Sequence, residues 1–184
     1  MDPRTSTSRV LRSASLASAS SGTHSTSATS FDSVTVCSAV TPNTNGLTAI
    51  YYDNMDFTGT TFTHVDLTVN VDWGSGSPSA NVTRDNFSIR WTGQVLAPVT
   101  GSYQFRTKSN DGARLTVNGQ LIIDNWTDHS STSNRTSPSV ALVGGTKYTI
   151  TLEYYEHTRN AQAVLQWSYP GKSTQVIPQS QLFP

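Results

Sequence analysis

Arg114-Leu115-Thr116-Val117, followed by Asn118-Gly119 and then Gln120-Leu121-Ile122-Ile123, is the stretch whose reading decides the fold. An Asn-Gly pair tolerates positive φ at both central positions of a two-residue loop, as a type I′ turn requires, so an antiparallel hairpin is expected here. Working outward, the same period-2 alternation recurs on both sides. Val65, Leu67 and Val69 alternate with polar residues and run into Gly74-Ser75-Gly76-Ser77-Pro78. Phe87, Ile89 and Trp91 alternate up to Gly93, and Tyr103, Phe105 and Thr107 follow a turn centred on Gly101. Downstream, Val140 to Val143 and Tyr148, Ile150, Leu152 and Tyr154 flank Gly144-Gly145, and Leu165, Trp167 and Tyr169 form a last strong strand. Short alternating strands with Gly, Pro and Asn punctuation, and no stretch of 3.6-residue periodicity, predict an all-β antiparallel sandwich or barrel.

The rest of the 184 residues does not share this pattern. Sixteen of the 17 aromatic residues lie between Tyr51 and Phe183, and only Phe31 precedes them. Residues 6–30 hold 10 Ser and 4 Thr with no acidic residue, too little apolar surface to offset chain entropy. The expected organisation is a Ser/Thr-rich, low-complexity or disordered segment over 1–45 and one folded domain over 46–184. Arg4, Arg9 and Arg12 among serines fit a linker or an organelle transit peptide. No secretory signal is expected, because Val10 to Leu16 is interrupted by Arg and Ser. Cys37 stands alone, so neither an intrachain disulfide nor a cysteine-rich zinc site is available.

Charge narrows the classes of partner. Twelve basic and 12 acidic residues cancel, only 13% of residues are charged, and 26 Ser with 27 Thr supply most of the polarity. A neutral surface releases few counterions, which argues against nucleic acid and against attachment to anionic lipid. No apolar run reaches the roughly 18 residues of a membrane helix, so no membrane insertion is expected.

Catalytic patterns are sparse. Glu153 and Glu156 are the only glutamates, and three-residue spacing on a strand sends side chains to opposite faces, so they make a poor carboxylate pair for glycoside hydrolysis. The four histidines show no i, i+4 spacing, and no phosphate loop or nucleophile elbow occurs. No enzyme is expected. The loop that stands out is Lys108-Ser109-Asn110-Asp111-Gly112-Ala113, where adjacent amide and carboxylate oxygens suit a hard cation. Asn-Asp-Gly is equally the composition of a plain turn.

The run from Ser109 to Trp126 resembles the signature of the protective-antigen-type, lectin-like PA14 domain family. Gly46 to Tyr52, Phe87 to Gly93, Glu153 to Glu156 and Ala163 to Trp167 resemble its other strands, so the likeness covers about residues 46–184. The resemblance implies a β-sandwich module of secreted or cell-surface proteins, appended to a catalytic or adhesin domain and often binding carbohydrate. It also implies a Ca²⁺ ion held by two adjacent aspartates joined by a cis peptide. Asn110 and Asp111 occupy those positions, with Asn110 removing one carboxylate. Asn160, in the Glu156–Ala161 loop, is the further metal ligand that the resemblance implies; His157, Arg159 and Trp126 are candidates to contact the ligand. Trp126 reads first as a core or loop anchor, and His157 and Arg159 read equally as solvated. The functional expectation is therefore a calcium-assisted glycan-binding module, with a metal-free protein-interaction or spacer module of the same fold as the alternative.

Overall fold

A computed structural model describes residues 45–129 and 133–184. The Ser/Thr-rich stretch assigned to 1–45, with Cys37, lies outside the described residues except for Asn45. The described residues form thirteen strands: β1 (Leu47–Tyr52), β2 (Thr61–Asp66), β3 (Asn70–Gly74), β4 (Phe87–Leu96), β5 (Gly101–Asn110), β6 (Ala113–Val117), β7 (Gln120–Asn125), β8 (Ser133–Thr136), β9 (Val140–Leu142), β10 (Lys147–Glu156), β11 (Ala161–Tyr169), β12 (Lys172–Val176) and β13 (Leu182–Phe183). A 3₁₀ turn, Gln179–Gln181, precedes the last.

The strands form two antiparallel sheets, as the alternation predicts. The first runs β2-β1-β4-β10-β6-β7, with β13 also on β4; the second runs β12-β11-β5-β8, with β3 on β11 and β9 on β5. The Asn-Gly hairpin is the β6–β7 turn, with φ of 50° at Asn118 and 76° at Gly119. Inward-facing residues of both sheets fill one aromatic-rich core, in which Trp91, Trp167, Tyr103, Tyr154, Phe87 and Phe105 are fully buried.

Two strand expectations are altered. The Val65-Leu67-Val69 run does not form one strand: β2 ends at Asp66, Leu67 is exposed, and the chain crosses to the second sheet as β3. The cause is Asp66, whose Oδ2 accepts from both Tyr51 Oη and Trp91 Nε1 at 2.6 Å and ties the end of β2 to the first sheet. β4, in turn, does not stop at Gly93. It passes through it at φ 154°, because β13 packs so closely that a Cβ there would lie 2.2 Å from the Phe183 carbonyl oxygen.

The outer face of the first sheet carries a row of alternating charge. Arg90, Glu153, Arg114 and Asp124 are successive cross-strand partners on β4, β10, β6 and β7. Glu153 binds both arginines, and the Phe57 and Trp126 rings lie over the Arg90 and Arg114 guanidiniums at 4.3 Å each.

Candidate functional site

Three connections converge at one end of the sandwich. The Asp111-Gly112 turn joins β5 to β6, residues 157–160 join β10 to β11, and the segment after β7 contributes Trp126 to His129. Antiparallel pairing forces this meeting, since β5 and β11 are hydrogen-bonded neighbours whose register sets Asn110 opposite Gln162. Asn110, Asp111, Asp128, His129, His157, Thr158, Arg159 and Asn160 line a cavity of about 350 Å³ there.

The Asn110–Asp111 peptide is cis. Asn110 and Asp111 are both buried, at 7% and 5% exposure, despite their polarity. Burial of a carboxylate requires donors, and Asp111 has two main-chain ones: His129 N–H at 2.8 Å to Oδ1 and His157 N–H at 3.0 Å to Oδ2. One side chain thus gathers the two flanking loops. Asp85 Oδ1 accepts from Arg159 N–H at 3.1 Å, and the His157 carbonyl accepts from Asn86 N–H, which pins the 157–160 loop from its other side. Arg159 holds a φ of 88° within that loop, a left-handed conformation uncommon for a non-glycine residue.

Beneath the turn, Tyr154 Oη donates to the Asn110 carbonyl at 2.5 Å and lies 3.3 Å from Glu156 Oε2. Glu156 is completely buried, and its Oε1 has no hydrogen-bond partner among the described residues. Burial, with the Asp111 carboxylate nearby, pushes Glu156 up to about 8. At the rim, Asp128 Oδ1 accepts from Tyr155 Oη at 2.7 Å and its Oδ2 lies 2.8 Å from His157 Nδ1. These two partners hold the Asp128 carboxyl below the usual carboxylate range.

Asn110, Asp111, Asn160, His157 and Arg159 are therefore brought to one cavity. Trp126 is not among its lining residues; it packs edge-on against Tyr155 at 4.7 Å, stacks on Phe57 and covers Arg114. Asp128 carries no signal in the sequence, because it is three residues beyond a strand and belongs to no motif. Glu156 stands out in the sequence only as half of a possible carboxylate pair. Glu153 faces the outer arginines while Glu156 is buried, so the two do not meet.

The donor set suits a hard cation. Carboxylate and amide oxygens from three segments share one cavity, and an Asp oxygen that accepts one N–H keeps a further acceptor position. Among the described residues no three His, Cys, Asp or Glu side chains gather as a metal cluster, so amide and main-chain oxygens would have to complete such a site. Among the described residues no helix is long and apolar enough to cross a membrane.

Comparison with known proteins redirects the functional expectation. Over 140 residues the chain is 42% identical to "Anti-sigma-I factor RsgI3" of Acetivibrio thermocellus, a match covering 76% of this chain and 21% of that protein. A solved structure of an "anti-sigma factor domain-containing protein" is 41% identical with a TM-score of 0.73, over 76% of this chain and 48% of that one. The chain thus spans about a fifth of the curated relative and about half of the solved one. A "PA14 sugar-binding domain from RTX adhesin" matches at TM-score 0.60 but only 19% identity, over 76% of this chain and 98% of the other, and that likeness shows the fold alone.

The expectation of a calcium-assisted glycan-binding module, with its interaction-or-spacer alternative, is corrected accordingly: the relatives at 41–42% identity are anti-sigma factor proteins, and the sugar-binding neighbour shares the fold alone. The error has a physical origin, since motifs that specify a sandwich and its loop ends specify a scaffold on which unrelated functions are built. With two antiparallel sheets, the Asn-Gly hairpin and the Asn110-Asp111 turn in place, and with residues 43–181 matching the model of the PA14 domain, the chain belongs to the PA14 domain family.

Proposed function

We propose that this chain is the sensing module of a regulator of the anti-sigma-factor type, placed on the outer side of a membrane, and that the loop-end cavity is its input site. The observation that carries this reading is the 42% identity over 140 residues to an anti-sigma-I factor. The role is binding rather than turnover, and the domain joined to it is a regulatory one rather than a catalytic or adhesin domain. Within the cavity a calcium ion is held by Asn110, Asp111 and Asn160, with His157 and Arg159 at the rim in reach of whatever the ion meets. Calcium supplies a fixed positive centre there. The protein's own part is to keep Asp111 oriented through the His129 and His157 amides.

The test exchanges the matching 140-residue segment of the Acetivibrio anti-sigma-I factor for residues 46–184 of this chain. Transcription from a promoter under that factor's control is then measured with and without the segment. Regulated output from the exchange, and lost regulation on deletion, are expected. Output indifferent to deletion of the segment would overturn the reading.

A further inference from the structure

We propose that Asp128 supplies the second carboxylate of the loop-end cavity, in place of the charge that Asn110 lacks, so that calcium held there draws on Asp111 and Asp128 together. This rests on the calcium reading given above and goes beyond it, because Asp128 belongs to a different segment from the Asn110-Asp111 turn and the 157–160 loop.

Four observations converge on it. Asp128 lines the same cavity as Asn110, Asp111 and Asn160. Its carboxylate is held from two sides, by Tyr155 Oη at 2.7 Å and by His157 Nδ1 at 2.8 Å, while its side chain stays 59% exposed and open to an incoming ion. Each oxygen keeps a further acceptor position beyond these bonds. Asp128 is also tied to Asp111 through the chain itself: the amide that donates to Asp111 Oδ1 is that of His129, the very next residue. Finally, the Tyr155 support is built in. Its main-chain N–H donates to the Gly112 carbonyl at 3.0 Å, its ring packs on Trp126, and the ring lies so close over Gly112 that a Cβ there would fall 2.1 Å from Cε1. The glycine after the Asn110-Asp111 pair thus makes room for the tyrosine that holds Asp128.

Charge supplies the chemical reason. Affinity for Ca²⁺ is tuned by the number of charged ligands. Asp111 alone leaves a bound ion with a net positive charge, and a second carboxylate neutralises it. The other charged or titratable groups on the lining are His129, His157 and Arg159, none of which supplies negative charge.

The experiment is calorimetric titration of the full chain with calcium chloride, repeated with terbium and read by luminescence sensitised through the nearby Tyr155 and Trp126. Thermal unfolding in EDTA is followed in parallel to report on the fold without the ion. The expected result is a tenfold or greater rise in Kd for Asp128→Asn, and for Asp128→Ser tested beside it, with most of that loss recovered in Asn110→Asp/Asp128→Asn. A wild-type chain that binds calcium while both Asp128 variants stay within twofold of it would assign Asp128 a purely structural part and overturn the proposal, leaving the calcium reading intact. A double variant that binds no better than Asp128→Asn would overturn the charge replacement. Absence of heat, luminescence and calcium-dependent thermal shift in the wild type and in Asn110→Asp at millimolar calcium would overturn the calcium reading and this proposal together.

Discussion

The Tyr154 hydroxyl donates to the main-chain carbonyl of Asn110 at 2.5 Å, joining β10 of the first sheet to the last residue of β5 in the second. Both residues are buried, so the bond fixes the Asn110-Asp111 turn to the sandwich interior rather than leaving it to solvent. Tyr154→Phe removes the donor from a buried hydrogen bond, a loss on the order of 1 kcal/mol. Urea unfolding should show that decrease with an unchanged m value. A midpoint equal to wild type would mean that water replaces the hydroxyl there.

Asp66 accepts from Tyr51 Oη and Trp91 Nε1 on one oxygen, both at 2.6 Å, and lies at the end of β2 where the chain leaves for the other sheet. Asp66→Ala strands two buried donors at once, each costing about 1–3 kcal/mol. The expected result is a loss of about 3 kcal/mol in chemical denaturation. Amide exchange should accelerate first in Thr61–Asp66, the edge strand that loses its anchor.

Gly112→Ala sets a methyl group against the Tyr155 ring, where the nearest approach would be 2.1 Å. The ring must move, and overpacking of this kind costs about 1–3 kcal/mol. Because the strain sits between two named groups, Tyr155→Ala introduced with Gly112→Ala should cost less than the sum of the single changes. Additive losses in a double-mutant cycle would show that the methyl group is accommodated elsewhere.

How much of this was legible in the sequence depended on range. The Asn118-Gly119 turn and the inward alternation of β4, β5, β10 and β11 are local signals, and the structure follows them. β8, β12 and β13 escape such reading, because short edge strands are held by pairing to a neighbour, as Leu182 is to Val95, rather than by an apolar stripe of their own. The division of residues 65–70 between two sheets was hidden for the same reason, since its cause lies in Tyr51 and Trp91, distant in sequence. In the cavity, Asn110, Asp111 and Asn160 could be named from a motif and its partner loop. Asp128 could not, because only Tyr155 and His157 in three dimensions give it a place. The functional expectation erred where local pattern carries least, since loop ends on a common scaffold say little about which larger protein they serve.

Glu156 makes stability depend on pH in a direction opposite to most paired carboxylates. Its folded pKa, pushed up to about 8 by burial and by the Asp111 carboxylate, lies above the ordinary value of 4.5, so the folded chain holds this proton more tightly than the unfolded chain. The contribution is fully present below about pH 4.5 and is lost as pH rises through about 8. The Tyr154 hydroxyl gives the proton a place. It lies 2.5 Å from the Asn110 carbonyl and 3.3 Å from Oε2, so when its hydrogen is on Asn110 its oxygen is free to accept from a protonated Glu156. Glu156→Gln keeps a donor at that position and does not titrate. Thermal unfolding in EDTA should therefore show the wild-type midpoint falling between pH 5 and pH 8.5 relative to Glu156→Gln, whose curve is flatter over the same interval. Parallel curves for the two proteins would show that Glu156 stays ionised in the folded chain.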